Sequence, residues 1–135
     1  MFGQQEKSLK KCKKCGKLKD ESEFHYAAHR LDRRQSRCKK CTSDANRNNH
    51  LFNFYGMTLL EYNKMLEEQN EVCAICKQPE VAIDCNGKIR ILAVDHCHKT
   101  MKVRGLLCNK CNLALGHVED DIEILRAMIT YLEQL

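Results

Sequence analysis

Apolar positions are sparse in the first third of this chain and become periodic only after residue 55. Up to Phe54, little beyond Leu18, Phe24, Tyr26 and Leu31 is available for a core. Residues 42–54 (TSDANRNNHLFNF) read as a polar linker, with helix as an option, closing at Tyr55-Gly56. Thr58-Leu59-Leu60-Glu61 is a capping box, in which a hydroxyl and a carboxylate satisfy the free N–H groups at a helix start. The helix it predicts runs to about Asn70, with Leu59, Tyr62, Met65 and Leu66 on its apolar face. Residues 89–94 (IRILAV) favour a strand and Val103–Leu107 a second, joined through a Lys/Thr turn at 99–102. A short helix beginning near Cys108 and Asn109 and ending near Gly116 follows. In the tail, Ile122, Leu125, Ile129 and Leu132 recur at helical spacing, with Glu119, Asp120 and Asp121 at the positive end of that helix. Such a face packs on the domain core or on a second copy of the chain.

A chain of 135 residues holds one domain or two very small ones. Ten of its residues are Cys, about 7%, enough to organise the structure. Eight fall into four C-x-x-C pairs: Cys12/Cys15, Cys38/Cys41, Cys73/Cys76 and Cys108/Cys111. Each pair is a knuckle whose thiolates point at one tetrahedral ion, and two knuckles close a four-thiolate zinc site. Pairing in sequence order gives one zinc site from Cys12, Cys15, Cys38 and Cys41, and a second from Cys73, Cys76, Cys108 and Cys111. Pairing across the two halves needs longer loop closures. Disulfides or iron are the other uses of such cysteines. Regular pairing and the absence of an export-type apolar stretch in Met1–Lys19 fit a reducing cytoplasm better than disulfides. Neither half can bury much core alone, so metal supplies much of the folding energy, typically about 10–16 kcal/mol per structural zinc. Cys85 and Cys97 remain over. By strand alternation, Cys97 faces away from His96 and His98 as a small buried thiol.

Charge separates along the chain. Residues 1–54 hold 14 Lys+Arg against 6 Asp+Glu, a net of +8, whereas residues 55–135 are at −3. The basic character therefore belongs to the first cysteine module, in the doublets Lys10-Lys11, Lys13-Lys14, Arg33-Arg34 and Lys39-Lys40. Such a surface suits a phosphate backbone, with little sequence preference. A merely solvated surface is the competing reading. A mean hydropathy of −0.55 and the lack of a long apolar run exclude a membrane span.

The second half carries a dense polar constellation: Val94-Asp95-His96-Cys97-His98, then Arg104-Gly105-Leu106-Leu107-Cys108-Asn109-Lys110-Cys111-Asn112. A hairpin followed by a helix brings Asp95, His96, His98 and Asn112 together, and a four-thiolate zinc clamps helix to hairpin with no coordination position open for chemistry. Asp95 and Asn112 offer hard oxygens of the kind Mg²⁺ takes beside water and a substrate phosphate. A neighbouring imidazole, with an ordinary pKa of about 6.5, suits His96 as general base for an attacking water. The reaction class is phosphodiester hydrolysis with one catalytic metal. Core packing for His96 and helix capping for Asn112 are the plainer alternatives. Arg104 reads equally well as a phosphate contact and as a surface ion-pair partner. His25, His29, His50 and His117 show no ligand pattern.

Tyr55-Gly-Met-Thr-Leu-Leu-Glu-Tyr62, Cys73-Ala-Ile-Cys76, Val94-Asp-His-Cys-His98 and Lys102-Val-Arg-Gly-Leu-Leu-Cys-Asn-Lys-Cys-Asn112 together closely resemble the phage recombination endonuclease VII family, within the His-Me finger (ββα-metal, HNH-type) nucleases. The resemblance covers roughly residues 55–116. It implies structural zinc on Cys73, Cys76, Cys108 and Cys111, His96 as general base, and Asp95 with Asn112 as ligands of a catalytic Mg²⁺ or Mn²⁺. It implies a role for His98 at the scissile phosphate or the metal. It also implies DNA as partner, and it makes branched-DNA resolution and a homodimer through the C-terminal helix expectations.

The fold expected is α+β: a basic four-cysteine zinc module with its linker over 1–54, then a zinc-stabilised ββα-metal nuclease domain over 55–135. The function expected is metal-dependent DNA cleavage, in the cytoplasm of a host cell if phage-encoded. The alternatives are a non-catalytic double-zinc DNA-binding module and, more weakly, an interaction module of LIM or RING type.

Overall fold

The computed structural model describes residues 8–134. These residues form a small mixed α/β protein of short two-stranded antiparallel sheets and helices, and its contacts divide it into two compact units between Leu59 and Leu60.

In the first unit, β1 (Leu9–Lys11) pairs antiparallel with β2 (Leu18–Asp20), Lys10 opposite Lys19. The turn between them is the first cysteine knuckle. Cys12 N–H donates to Lys17 O (3.0 Å) and Gly16 N–H to Cys12 O (2.9 Å). Gly16 sits at φ +71°, which a residue without Cβ adopts at least cost. A single 3-10 turn, Glu21–Glu23, leads to β3 (Phe24–Tyr26), which pairs with β4 (Arg34–Cys38). Cys12, Phe24 and Cys38 make the buried core of this unit, with Cys41 packed against it.

The chain passes directly from β4 into α1 (Lys39–Tyr55), a helix of 17 residues covering the stretch read as a linker. Helix, rather than linker, is the outcome because both ends are fixed. Cys38 and Cys41 anchor its start, and Gly56, left-handed at φ 64°, donates to Leu51 O and Phe52 O at its end. Among its residues only Leu51 is fully buried, so there was almost no apolar stripe to see.

In the second unit, α2 (Leu59–Glu68) starts one residue after Thr58, where the capping box puts it. Its one fully buried residue is Tyr62, whose hydroxyl donates to Leu92 O at 2.7 Å. β5 (Ala93–His96) pairs antiparallel with β6 (Val103–Leu107), and α3 (Asn109–His117) and α4 (Ile122–Leu132) follow. The strand expected over 89–94 is thus displaced toward its C-terminal end. Ile89 instead bridges to Ile83 in a small local hairpin, closed by Asp84 N–H to Lys88 O and Arg90 N–H to Ala82 O, both at 2.8 Å. The Tyr62 hydroxyl holds the Leu92 carbonyl just before β5 begins.

Three further contacts position the second cysteine pairs. The Gln69 side-chain amide accepts from Leu106 N–H and donates to Leu106 O, both at 2.9 Å, lying on the edge of β6 like a fragment of strand. Ala74 N–H donates to Leu106 O as well (3.0 Å), docking the Cys73–Cys76 knuckle on the same strand. Glu80 Oε2 accepts from Asn109 N–H at 2.6 Å, capping the start of α3.

α4 is capped by Asp121, which accepts from Glu123 and Ile124 N–H. Its apolar residues Ile122, Met128, Ile129, Tyr131 and Leu132 are exposed rather than laid on a core. No helix among the described residues is long and apolar enough to cross a membrane.

Candidate active site

The sulfurs come together in two sets. The Sγ atoms of Cys12, Cys15, Cys38 and Cys41 all lie within 4.8 Å of one another, and so do those of Cys73, Cys76, Cys108 and Cys111. Cys12 and Cys41 Sγ are 3.9 Å apart, Cys76 and Cys108 Sγ 3.7 Å. A tetrahedron of sulfurs about 2.3 Å from a central zinc has edges of about 3.8 Å, so both sets have the size zinc requires, and all eight thiols are free of disulfides. Backbone N–H groups of Cys15 and Cys38 lower the Cys12 thiol to about 6. At Cys73 burial acts upward, but N–H groups of Cys108, Cys76 and Ile75 prevail and bring it to about 6. Cys41, crowded first by the Cys38 sulfur, and Cys111, first by burial and then by the Cys108 sulfur, are pushed up to about 12. Four sulfurs this close cannot all ionise without a cation among them. Both sets are compatible with zinc binding.

The second set ties the Cys73–Cys76 knuckle to the start of α3, and α3 packs on both β5 and β6. That arrangement places Asp95 and His96 on β5 and Asn112 in the first turn of α3, its N–H donating to Cys108 O at 3.0 Å. Asp95 is 9% exposed and His96 half-buried, whereas His98, past the strand end, is exposed. The His96 and His98 rings lie 4.8 Å apart between centroids.

A register break in the hairpin decides what faces Asp95. Asp95 is opposite Gly105 and His96 opposite Val103, which leaves Arg104 as the extra, bulged residue of β6. Its guanidinium reaches across to Asp95, Nε to Oδ2 at 2.6 Å and Nη2 to Oδ1 at 2.8 Å, and Nη2 also donates to Asp120 Oδ2 at 3.0 Å. Arg104 is therefore the ion-pair partner of its two sequence readings. Neither the bulge nor Asp120 had a signal in the sequence.

A cleft of about 620 Å³ opens beside this pair, lined on one side by Cys97, His98, Lys99 and Arg104 and on the other by acidic residues from Glu119 to Glu123. Asp95, Arg104 and Gly105 border a smaller hollow of about 260 Å³ with Ala74 and Leu115. The expectation that Cys97 faces away from His98 is corrected. β5 ends at His96, so alternation stops there, and Cys97 enters a turn (its N–H donating to Lys102 O, 2.9 Å) where it shares the cleft with His98. The Thr100 hydroxyl, followed by the Thr100 and Lys99 N–H groups, holds the Cys97 thiol below its ordinary value.

Residues 48–134 match the family Recombination endonuclease VII. The chain belongs to that family. Among curated relatives, the Gene 59 proteins of Mycobacterium phages D29 and L5 are each 46% identical to it, over 81 and 79 residues, or 59% and 58% of this chain. The chain spans less than half of their length, 46% and 44%. Among solved structures it is similar to the ββα-Me type II restriction endonuclease Hpy99I, at 26% identity and a TM-score of 0.40, over 93% of this chain and 65% of that one. The endonuclease VII match takes in Asp95, His96, His98, Asn112 and the second four-cysteine set. The first set lies N-terminal to it.

Proposed function

We propose that the chain is a metal-dependent DNA endonuclease that hydrolyses phosphodiester bonds, one nick per active site. The observation that carries this reading is the endonuclease VII match across the segment holding the Asp95–His96–His98 strand end and Asn112. In this reading residues 55–135 are the nuclease domain, and residues 1–54 a basic module that grips backbone without reading sequence. Each four-cysteine set holds one structural zinc.

His96 takes a proton from the attacking water as general base, a role typically worth about 10²–10⁴-fold. Asp95 and Asn112 supply hard oxygens of the chemistry that Mg²⁺ or Mn²⁺ favours, and each Asp95 oxygen that accepts from Arg104 keeps a second lone pair. When bound, that ion supplies charge stabilisation to the phosphoryl group and the departing 3′ oxygen. Arg104 orients the Asp95 carboxylate through its paired donors. His98, exposed on the cleft, contacts the scissile phosphate. The bare apolar face of α4 meets a second copy, and a dimer carrying two sites suits branched DNA in a host-cell cytoplasm.

A second reading, a non-catalytic double-zinc DNA-binding module, draws on one observation: Arg104 already neutralises Asp95. Plasmid DNA incubated with the protein and Mg²⁺ or Mn²⁺, beside a His96→Ala variant, separates the two. The nuclease reading expects divalent-dependent nicking that the variant loses while its zinc content and DNA affinity hold. Equal binding by both proteins, with no cleavage by either, leaves the binding module.

A further inference from the structure

The first unit contains a concave site of about 330 Å³, formed where the loop after β3, the strand β4 and the first turns of α1 converge. It is lined by His29, Arg30, Gln35, Ser36, Arg37, Thr42, Ala45 and Asn46. None of the Lys and Arg doublets that stand out in the sequence is among these residues.

Three of those doublets are partly spent on the fold. Lys10 pairs with Asp32 and lies over the Phe24 ring, Lys40 pairs with Asp44 at 3.7 Å, and Arg34 is half-buried in β4. Arg30 and Arg37 differ. Both are exposed, and among the described residues no carboxylate pairs with either. The lining itself contains no carboxylate and one apolar residue, Ala45. One of its members, Thr42, has a buried hydroxyl oxygen without a hydrogen-bond partner, although a threonine in a helix ordinarily bonds back to the preceding turn.

We infer that this hollow is a seat for a backbone phosphate of DNA, with Arg30 and Arg37 as the charged arms and Gln35, Ser36, Thr42 and Asn46 as the neutral donors. Two guanidiniums converging on one concavity match a tetrahedral anion with forked donors, which scattered lysines do not. Short hydroxyl and amide side chains complete phosphate contacts throughout protein–DNA interfaces. The anchor lies outside the residues matched by the endonuclease family, and none of its residues lines the cleft at His98 and Arg104. It rests on the reading that the chain binds DNA and is independent of whether the chain cuts it.

The test is fluorescence anisotropy of the full zinc-loaded chain on a labelled DNA duplex without added divalent cation, over a series of salt concentrations. Arg30→Gln/Arg37→Gln weakens binding by about 10-fold or more and flattens the slope of log affinity against log salt by about 1–2. Asn46→Asp, which keeps the shape and adds a negative charge at an exposed position, weakens it in the same direction. Lys14→Gln/Lys17→Gln, an equal charge loss on exposed residues of the same unit outside the hollow, costs clearly less. Zinc content confirms that each variant is folded. Equal losses for the two double variants would reduce the site to diffuse charge and overturn the inference, as would no loss at all or a loss seen only with an RNA of the same length. Absence of cleavage in a separate Mg²⁺ assay would sink the nuclease reading and leave this one standing.

Discussion

Arg104 and Asp95 face each other across the β5–β6 hairpin with two near-parallel hydrogen bonds, at 2.6 and 2.8 Å, made possible by a single bulged residue. Asp95 is almost fully buried and Arg104 is 39% exposed, so water screens one partner more than the other. Removing the guanidinium leaves a buried carboxylate short of donors. Arg104→Gln is expected to lower stability by about 1.5–3 kcal/mol, the range for hydrogen bonds to charged groups, with a urea unfolding curve as the measurement. Arg104→Lys should recover less than half, since one ammonium cannot reproduce a fork. Asp120→Asn, which touches only the separate bond from Arg104 Nη2 to Asp120 Oδ2 at 3.0 Å, should cost less than either. No change in any of the three would show that the pair is idle.

Gln69 and Gly105 make a second measurable contact. A Cβ built on Gly105 would stand 3.2 Å from Gln69 Oε1 and 3.4 Å from the Ala74 Cβ, so the Gln69 amide must give way. That amide holds both backbone groups of Leu106, and Leu106 is completely buried. Gln69→Ala strands a buried N–H, at a cost of about 1–3 kcal/mol. Gly105→Ala is expected to cost about 1 kcal/mol alone. The double variant should cost less than the sum, because the clash disappears with the side chain that causes it. Strict additivity in thermal unfolding would refute the contact.

The cysteine knuckles, the capping box at Thr58 and the β6 strand were legible because each is written in spacing along a short stretch. α1 was not. Its identity depends on what fixes its ends, Cys38 with Cys41 and left-handed Gly56, while its middle carries almost no apolar periodicity. The shift of β5 from 89–94 to 93–96 was likewise hidden, since it turns on Tyr62 reaching Leu92 and Ile89 pairing with Ile83, both tertiary choices. For the site, Asp95, His96, His98 and Asn112 stood out as residue types. The bulge that turns Arg104 onto Asp95 and Asp120 has no local signature, so the charge environment of the site emerged only in three dimensions.

Glu80 caps α3 from outside the helix. Its own burial raises its pKa, but N–H groups of Ala82, Asn109 and Val81 outweigh that and hold the carboxyl below its ordinary value. A depressed carboxyl stabilises the fold above its unfolded pKa, and that contribution fades as the pH falls through the lower folded value. Glu80→Gln is therefore expected to destabilise by about 1 kcal/mol near neutral pH, as for other lost caps. The gap between the two proteins should narrow as the pH drops toward about 4. A gap that widens on acidification would reverse the sign and exclude the assigned hydrogen bonds.

Metal content gives the sharpest separation of the two units. Each set of four sulfurs lies wholly on one side of the division at Leu59 and Leu60. Structural zinc contributes about 10–16 kcal/mol in small modules, comparable with or larger than the whole stability of an ordinary domain. Cys73→Ser is thus expected to drop zinc from two ions per chain to one and to unfold the second unit, leaving the first with its dispersed amide resonances. Cys12→Ser should do the converse, with the β5–β6 resonances unmoved. Elemental analysis alongside a two-dimensional NMR spectrum reads both numbers at once. Retention of two zinc ions by either variant would mean the ligand sets are wrongly drawn, and collapse of both units in either would mean that the two do not fold separately.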